Sequence, residues 1–317
     1  MNGTIQGRGV MDGVLVIKKE AGWTSHDVVA KIRHLLGGIK VGHAGTLDPA
    51  ATGVLPVLIG KGTRIAEYLM EWDKEYLAIL RLGETTDTQD ATGTVLVRCA
   101  TDGVTSAAIE EAVGQFRGRI EQVPPMYSAV KVAGVPLYKS ARAGKTIARE
   151  ARQIVIHSID ILAIDGRDVT LRVACSKGTY IRTLCADIGE ALGVGGHLLA
   201  LERRRVGPLT FDQAVSVDEV EAHLALGRLG EDVQSLDQAL QGLPAVVVDA
   251  QTADRVRHGV PVPASKVLRW ESAGNVDQKP GARVRIHDIS GILLAIGRQP
   301  QAPQGSIAIE KVLVGQE

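Results

Sequence analysis

The stretch that most restricts the fold is residues 42 to 55, GHAGTLDPAATGVL. Glycine and proline oppose a helix here, and no alternation supports an ordinary strand, so the segment reads as a shaped loop. It holds one carboxylate, Asp48, between Leu47 and Pro49, with His43 five residues upstream. The loop runs directly into VLPVLIG (Val54 to Gly60), an apolar run that anchors the carboxylate to a buried element. Sites are commonly built that way. An aspartate before a proline in such a turn also serves simply as a turn former, and His43 taken alone reads as structural. Pattern leaves both readings of Asp48 open.

Along the chain, Val14 to Ile17 predict a strand. Ser25 is placed to cap a helix carrying Val28, Val29, Ile32, Leu35 and Leu36, ended by Gly37 and Gly38. A short helix is expected over 64–70. KEYLAILRL (74–82) alternates as a half-buried strand with Tyr76, Ala78, Leu80 and Leu82 on one side, and 83–93 reads as an irregular polar loop. A helix follows over 105–117. Pro124 and Pro125 then exclude helix, and Tyr127, Ala129 and Lys131 alternate in an extended arm. A strand pair turns around Asp165 and Gly166. A helix follows through Ile181, Leu184, Ile188 and Leu192, with Tyr180 and Arg182 in its first turn. Leu198, Leu199 and Leu201 predict a strand leading to Arg203, Arg204 and Arg205, and two acidic helices run to about 241. From 245 the pattern changes to short strands (246–248, 284–286, 293–296, 312–314) and a Pro/Gly-rich loop. The expected architecture is one body over 10–241 and a small β-rich domain over 245–317.

At 317 residues with 45% hydrophobic and 23% charged, the chain reads as globular, and no apolar run approaches the roughly 18 residues of a membrane span. The amino-terminal segment lacks the basic and apolar regions of a signal peptide, so secretion is not expected. Cys99, Cys175 and Cys185 are odd in number and form no CxxC, which points to reduced thiols in a cytoplasm and away from a metal site. Basic and acidic residues balance at 36 each, but not locally. From Arg117 to Arg152 eight basic residues face only Glu121 and Glu150, a balance of +6. From Asp212 to Asp254 nine acids face Arg228 alone, a balance of −8. Such segregation fits one face for a polyanion and another kept from it, or two solvated faces that differ in sign.

Several chemistries drop out. GKGT at 60–63 lacks the spacing of a phosphate loop, GxSxG is missing, and no GxGxxG follows a strand. The histidines show no HExxH and no paired spacing with cysteine. Carboxylate chemistry remains. Asp87 and Asp90 could be a second acid, a metal pair or solvated turn residues. Arg182 stands in a helix first turn, where the dipole favours acids, so it calls for an anionic partner, a carboxylate or a phosphate.

With these residues in order, GHAGTLDPAATGVL, KEYLAILRLGETTDTQDATG, PPMYSAVKVAGVPLYKSAR and KGTYIRTLCADIG, the chain resembles the TruB family of bacterial tRNA pseudouridine-55 synthases. The resemblance covers about 12–210. Residues 245–317 resemble, more weakly, a PUA-type RNA-binding module. The family implies an α+β fold with a mixed, largely antiparallel sheet flanked by helices and a small C-terminal β-rich PUA-like domain. It implies isomerisation of uridine in the tRNA T stem-loop, with no cofactor and no metal, by a cytoplasmic monomer. It assigns catalysis to Asp48, base stacking and handling of the C5 proton to Tyr76, and pairing with the aspartate to Arg182. Tyr180 and Leu201 would line the pocket, Asp90 would lie near the base edge, and His43 would support the T loop. Lys131 and Arg142 would contact RNA from the basic arm. Glu202, where the family usually carries a basic residue, puts the phosphate contacts of that strand in question.

Chemistry agrees with those residue types. The carboxylate attacks C1′ or C6, or removes the 2′ proton, and must be ionised for each; a nearby arginine is expected to lower its pKa by roughly 1 to 3 units. The glycines would let a flipped base and RNA backbone approach closely. Two rivals use the same residues: a glycosidic hydrolase working through Asp48 and Asp90, and an RNA-binding or RNA-folding module without catalysis.

Overall fold

The computed structural model describes residues 11–128, 130–132, 134–271, 280–302 and 305–314. The first ten residues, Ala129 and part of the C-terminal Pro/Gly-rich loop, all used in the sequence reading, lie outside the described residues. Strands Gly13–Lys19 and Thr52–Ile59 pair antiparallel and are almost wholly buried. The helix Ser25–Leu35 covers one face, packing Val28, Val29 and Ile32 on Leu15, Ile17, Leu55 and Val57. Val14, Val16, Val54 and Leu58 meet Tyr68 and Leu69 on the other. Burial on both faces is why VLPVLIG is continuously apolar rather than alternating.

The strand Lys74–Leu82 shows the opposite pattern, burying every second residue from Lys74 to Leu82. Its neighbours are Asp168–Cys175 and Gly196–Val206, both antiparallel. The large sheet runs in the order 233–234, 13–19, 52–59, 196–206, 74–82, 168–175, 152–165, 118–122. One junction in it is parallel: Gly196–Val206 meets Thr52–Ile59 through Glu202 opposite Thr52 and Arg203 opposite Gly53. The helix Ile181–Ala191 closes one face with Ile181, Leu184, Cys185 and Ile188. A second, six-stranded sheet begins at Ala245–Val248 and has its own core around Val246, Val284, Ile286 and Leu294. It docks on the body: Ile296 and Leu313 join the cluster of Val14 and Tyr68, and Asp237 accepts from Arg285 (2.8 Å) and His287 (2.7 Å). The fold class is that expected from sequence. No helix of the described residues is long and apolar enough to cross a membrane.

Local differences have physical causes. Thr24, not Ser25, caps the first helix, because Thr24 and Asp27 close a reciprocal capping box. Ser25 is buried and exchanges hydrogen bonds with the backbone of Leu47 (2.9 and 3.2 Å), a contact 22 residues away that no local pattern announces. The loop is shorter than read: Val41–His43 and Thr52–Ile59 are strands, leaving 44–51 irregular. Residues 83–93 contain the strand Glu84–Thr86, paired with Val95–Arg98. In the C-terminal domain the helix Ala250–Arg257 and the strand Val267–Glu271 were not foreseen, and the last strand is Ser306–Val312. The Val267–Glu271 strand buries no residue fully, so it carries no alternation to read.

Gly53 has φ +100°, and a Cβ there would lie 2.2 Å from the Arg203 carbonyl oxygen. Its missing side chain therefore serves the protein's own parallel junction. Gly53→Ala is expected to cost about 3 kcal/mol through strain and overpacking, read as a lowered urea midpoint. Gly42→Ala, whose Cβ would meet only Thr63 at 3.7 Å, should leave the midpoint near wild type. Equal midpoints for the two variants would contradict this account.

Candidate active site

Asp48 sits on a loop fastened from three sides. Its own turn closes by Ala51 N–H donating to the Asp48 carbonyl (3.0 Å), and Gly22 N–H donates to Pro49 (2.9 Å). Lys19, buried at the end of its strand, donates to the carbonyls of Glu20, Trp23 and Pro49. Arg203 donates to Val54 (2.7 Å), Gly45 (2.9 Å) and Thr46 (3.4 Å). A carboxylate so mounted has little freedom to wander.

Opposite it lies Arg182, in the first turn of Ile181–Ala191, with its side chain 6% exposed. Nε stands 2.9 Å from Asp48 Oδ2, and Nη1 stands 3.6 Å from Asp90 Oδ2. The guanidinium also donates to the carbonyls of Tyr127 (2.8 Å) and Thr88 (3.3 Å). These partners come from three separate stretches of chain. Asp90 Oδ1 accepts from Thr88 Oγ1, Thr92 N and Thr92 Oγ1. Asp90 is thus committed on Oδ1 to its own turn, while Oδ2 faces the Arg182 guanidinium as an ion pair rather than an open pocket. Asp87 caps the same turn, accepting from Thr94 N–H (2.8 Å). Among the described residues no group of three or more His, Cys, Asp or Glu side chains could hold a metal ion.

The electrostatics of Asp48 differ from the sequence expectation. Burial pushes its pKa above the ordinary 3.8 and outweighs the opposing pull of Arg182, while Asp90 adds a like charge. One edge remains open, with 43% of the side chain exposed, but protein encloses the rest. Lys19, pulled to about 8 by its own burial, also favours the ionised carboxylate.

Tyr76 is 8% exposed and lies on Lys74–Leu82, opposite Val173 on one neighbouring strand and Arg203 on the other. Burial pushes its phenol up to about 12, against the pull of Arg203. At neutral pH it is a neutral ring with a protonated hydroxyl. Tyr180 is half-buried and caps the Ile181–Ala191 helix, its backbone clamped on both sides by the buried Gln122 amide (2.8 and 3.0 Å). Burial raises its phenol too. Leu201 is half-buried where the two largest body cores meet. His43 packs edge-on to His26 with ring centroids 5.5 Å apart, and its buried Nδ1 has no hydrogen-bond partner among the described residues. Burial lowers its pKa, aided by His26 and Arg203, so the ring is held neutral. Lys131 and Arg142 are exposed on the arm, Lys131 in a small hairpin and Arg142 over the Tyr138 ring.

The sequence reading missed Lys19, Gln122 and the true position of Arg203. Arg203 is 2% exposed, so it is no phosphate contact, and neighbouring Glu202 is held by Arg204 (2.8 Å). Alternation from Leu201 was the available signal, because it puts residue 203 on the same side of its strand. Gln89 is the one non-glycine residue with positive φ (63°) among the described residues. Its side chain accepts from Thr183 (2.8 Å), which fixes the turn that presents Asp90.

A folded-state pKa above the unfolded value gives Asp48 a linkage of definite sign. The stabilisation of its protonated form is complete below the ordinary 3.8 and is lost as pH rises through the raised value. Asparagine at 48 does not titrate. The melting temperature of Asp48→Asn minus that of wild type should therefore rise from about pH 3 to about pH 7. A flat or falling difference would contradict the burial assigned to this carboxylate.

Comparison with known proteins shows the family. Residues 33–181 match a family model described as TruB family pseudouridylate synthase (N terminal domain), and 182–248 match the tRNA pseudouridylate synthase B C-terminal domain. The tRNA pseudouridine synthase B of Ralstonia pickettii (strain 12J) is 45% identical over 287 residues, 89% of this chain and 86% of that one. The protein of the same name from Geotalea uraniireducens (strain Rf4) is 47% identical over 254 residues, 80% and 82% of the two chains. Among solved structures, a chain of a Cbf5-Nop10-Gar1 complex superposes with TM-score 0.78 at 29% identity, covering 96% of this chain and 85% of that one. A chain of an H/ACA RNP bound to a substrate RNA containing 2'-deoxyuridine gives 0.75 at 28% identity, covering 96% and 86%. With family models spanning most of the body and relatives this similar over nearly their whole length, the chain belongs to the TruB family, the tRNA pseudouridine synthases that isomerise uridine to pseudouridine.

Proposed function

We propose that the chain isomerises uridine 55 of the tRNA T loop, with Asp48 as the carboxylate that acts on the nucleotide. The observation that carries this reading is the Asp48–Arg182–Asp90 ion network, which presents one rigid carboxylate edge to solvent beside Tyr76. The reaction breaks C1′–N1, turns the base and forms C1′–C5. A proton leaves C5 and one is gained at N1, so acid and base are conserved and no redox partner enters. Attack at C1′, attack at C6 and removal of the 2′ proton all draw on an ionised Asp48, which Arg182 and Lys19 favour.

The uracil must leave its stack, at a cost of a few kcal/mol, and stacking on the Tyr76 ring returns about 1 to 3. Tyr180 and Leu201 flank that position, His43 supports the loop, and Asp90 holds Arg182 in place. Lys131 and Arg142 on the 117–152 arm take phosphates, and 245–317 serves as a PUA-like RNA-binding domain beside a catalytic body over 10–241. The six-stranded sheet with its own core supports that division. We place the enzyme in the cytoplasm, acting as a monomer on folded tRNA.

The direct test is tritium release from a tRNA transcript labelled at C5 of uridine. Wild type should release label from position 55 only. Asp48→Asn should bind the transcript yet release none, and persistent release by this variant would remove Asp48 from the chemistry. Tyr76→Phe should bind nearly as well and turn over more slowly, since it keeps the stacking face and loses the hydroxyl. Binding should weaken steeply with salt through counterion release; a flat response would remove the arm's role.

A further inference from the structure

Arg203 is among the largest fully buried side chains of the protein, and its mounting is unusual for a cation. Among the described residues its hydrogen bonds at Nε, Nη1 and Nη2 go to the backbone carbonyls of Val54, Thr46 and Gly45, not to a carboxylate. Two of those carbonyls precede Asp48 and one follows it. The guanidinium thus ties both ends of the 44–54 segment to the central strand. The same residue stands directly opposite Tyr76 on the adjoining strand, and its charge pulls on the Tyr76 phenol. A buried cation without an ion-pair partner carries a desolvation cost of several kcal/mol. Three hydrogen bonds to the segment that carries Asp48 offset that cost, and they place the charge where the carboxylate loop meets the strand of Tyr76.

We propose that Arg203 is a positioning residue for the isomerisation: one buried guanidinium fixes the Asp48 loop against the Tyr76 ring and adds positive charge behind the carboxylate. The inference rests on the reading of Asp48 as the acting carboxylate. The charged groups facing Asp48 are Arg182 and Asp90 across the cleft, Lys19 below its loop and Arg203 behind it. Asp48 favours the charged form of Arg203, so by reciprocity removing Arg203 takes away a cation that favours the ionised carboxylate beside Arg182 and Lys19. Because the guanidinium is sealed from solvent, RNA phosphates do not reach it.

Arg203→Lys keeps the charge but loses the fork, and Arg203→Gln loses both. Each is assayed for tRNA affinity by filter binding, for single-turnover tritium release across pH, and for melting temperature, with Asp48→Asn alongside. Arg203→Gln should slow turnover on the order of 100-fold, the scale expected for a small misplacement of reacting groups, while affinity stays within about threefold of wild type. The acid limb of its rate profile should move to higher pH, and that of Arg203→Lys should stay in place. A rate loss that only follows lost affinity, or an acid limb unmoved in Arg203→Gln, overturns the proposal. So does failure of both variants to fold, which would make Arg203 scaffold alone. If Asp48→Asn itself releases tritium, the reading of Asp48 has failed and this inference falls with it. An inactive Asp48→Asn beside a normal Arg203→Gln removes Arg203 only.

Discussion

The structure depends on the close approach of Gly53 to Arg203, where two strands of the large sheet run parallel. On one side lie Gly13–Lys19 and Thr52–Ile59, sealed on both faces. On the other, the alternating strand Lys74–Leu82 leads out toward Asp168–Cys175 and Arg152–Asp165. A parallel contact of two residue pairs joins these halves, and it succeeds because residue 53 has no Cβ. The Asp48 loop arises from one half and Tyr76 from the other. Their separation is set by the width of the central strand, which is fixed by backbone hydrogen bonding and does not drift with side-chain motion.

Charge is arranged around that seam in layers. Arg203 is sealed beneath the loop and bonded to carbonyls, whereas Arg182 stands at the cleft and is bonded to carboxylates and carbonyls together. Arg182 opposes the dipole of its own helix, and the two aspartates and two carbonyls offset that. Burial competes with Arg182 and Lys19 for the state of Asp48 and shifts it toward the neutral form. A carboxylate held against its solvation preference, in an open cleft, is a common signature of a working group.

Much of this was legible in the chain. The alternation of KEYLAILRL located its strand to the residue, and VLPVLIG announced an element buried on both faces. Arg182, placed against the dipole, announced an anionic partner, and the partner lies 2.9 Å away. Other features had no local signal. Ser25 was taken from capping duty by Leu47, and Gln122 reached across 58 residues to hold Tyr180. The pKa direction of Asp48 was misjudged because a sequence counts neighbouring charges but cannot weigh the enclosure that desolvates them.

By itself the sequence determined most elements of the body, the carboxylate loop and the family, because periodicity, turn chemistry and ordered motifs are local properties. Tertiary structure decided which glycine spares the protein's own backbone and which arginine is sealed away from phosphate. It also decided how Asp48, Asp90 and Arg182 share one guanidinium. Those outcomes depend on distances between strands and on exclusion of water, and neither exists until the sheet has closed.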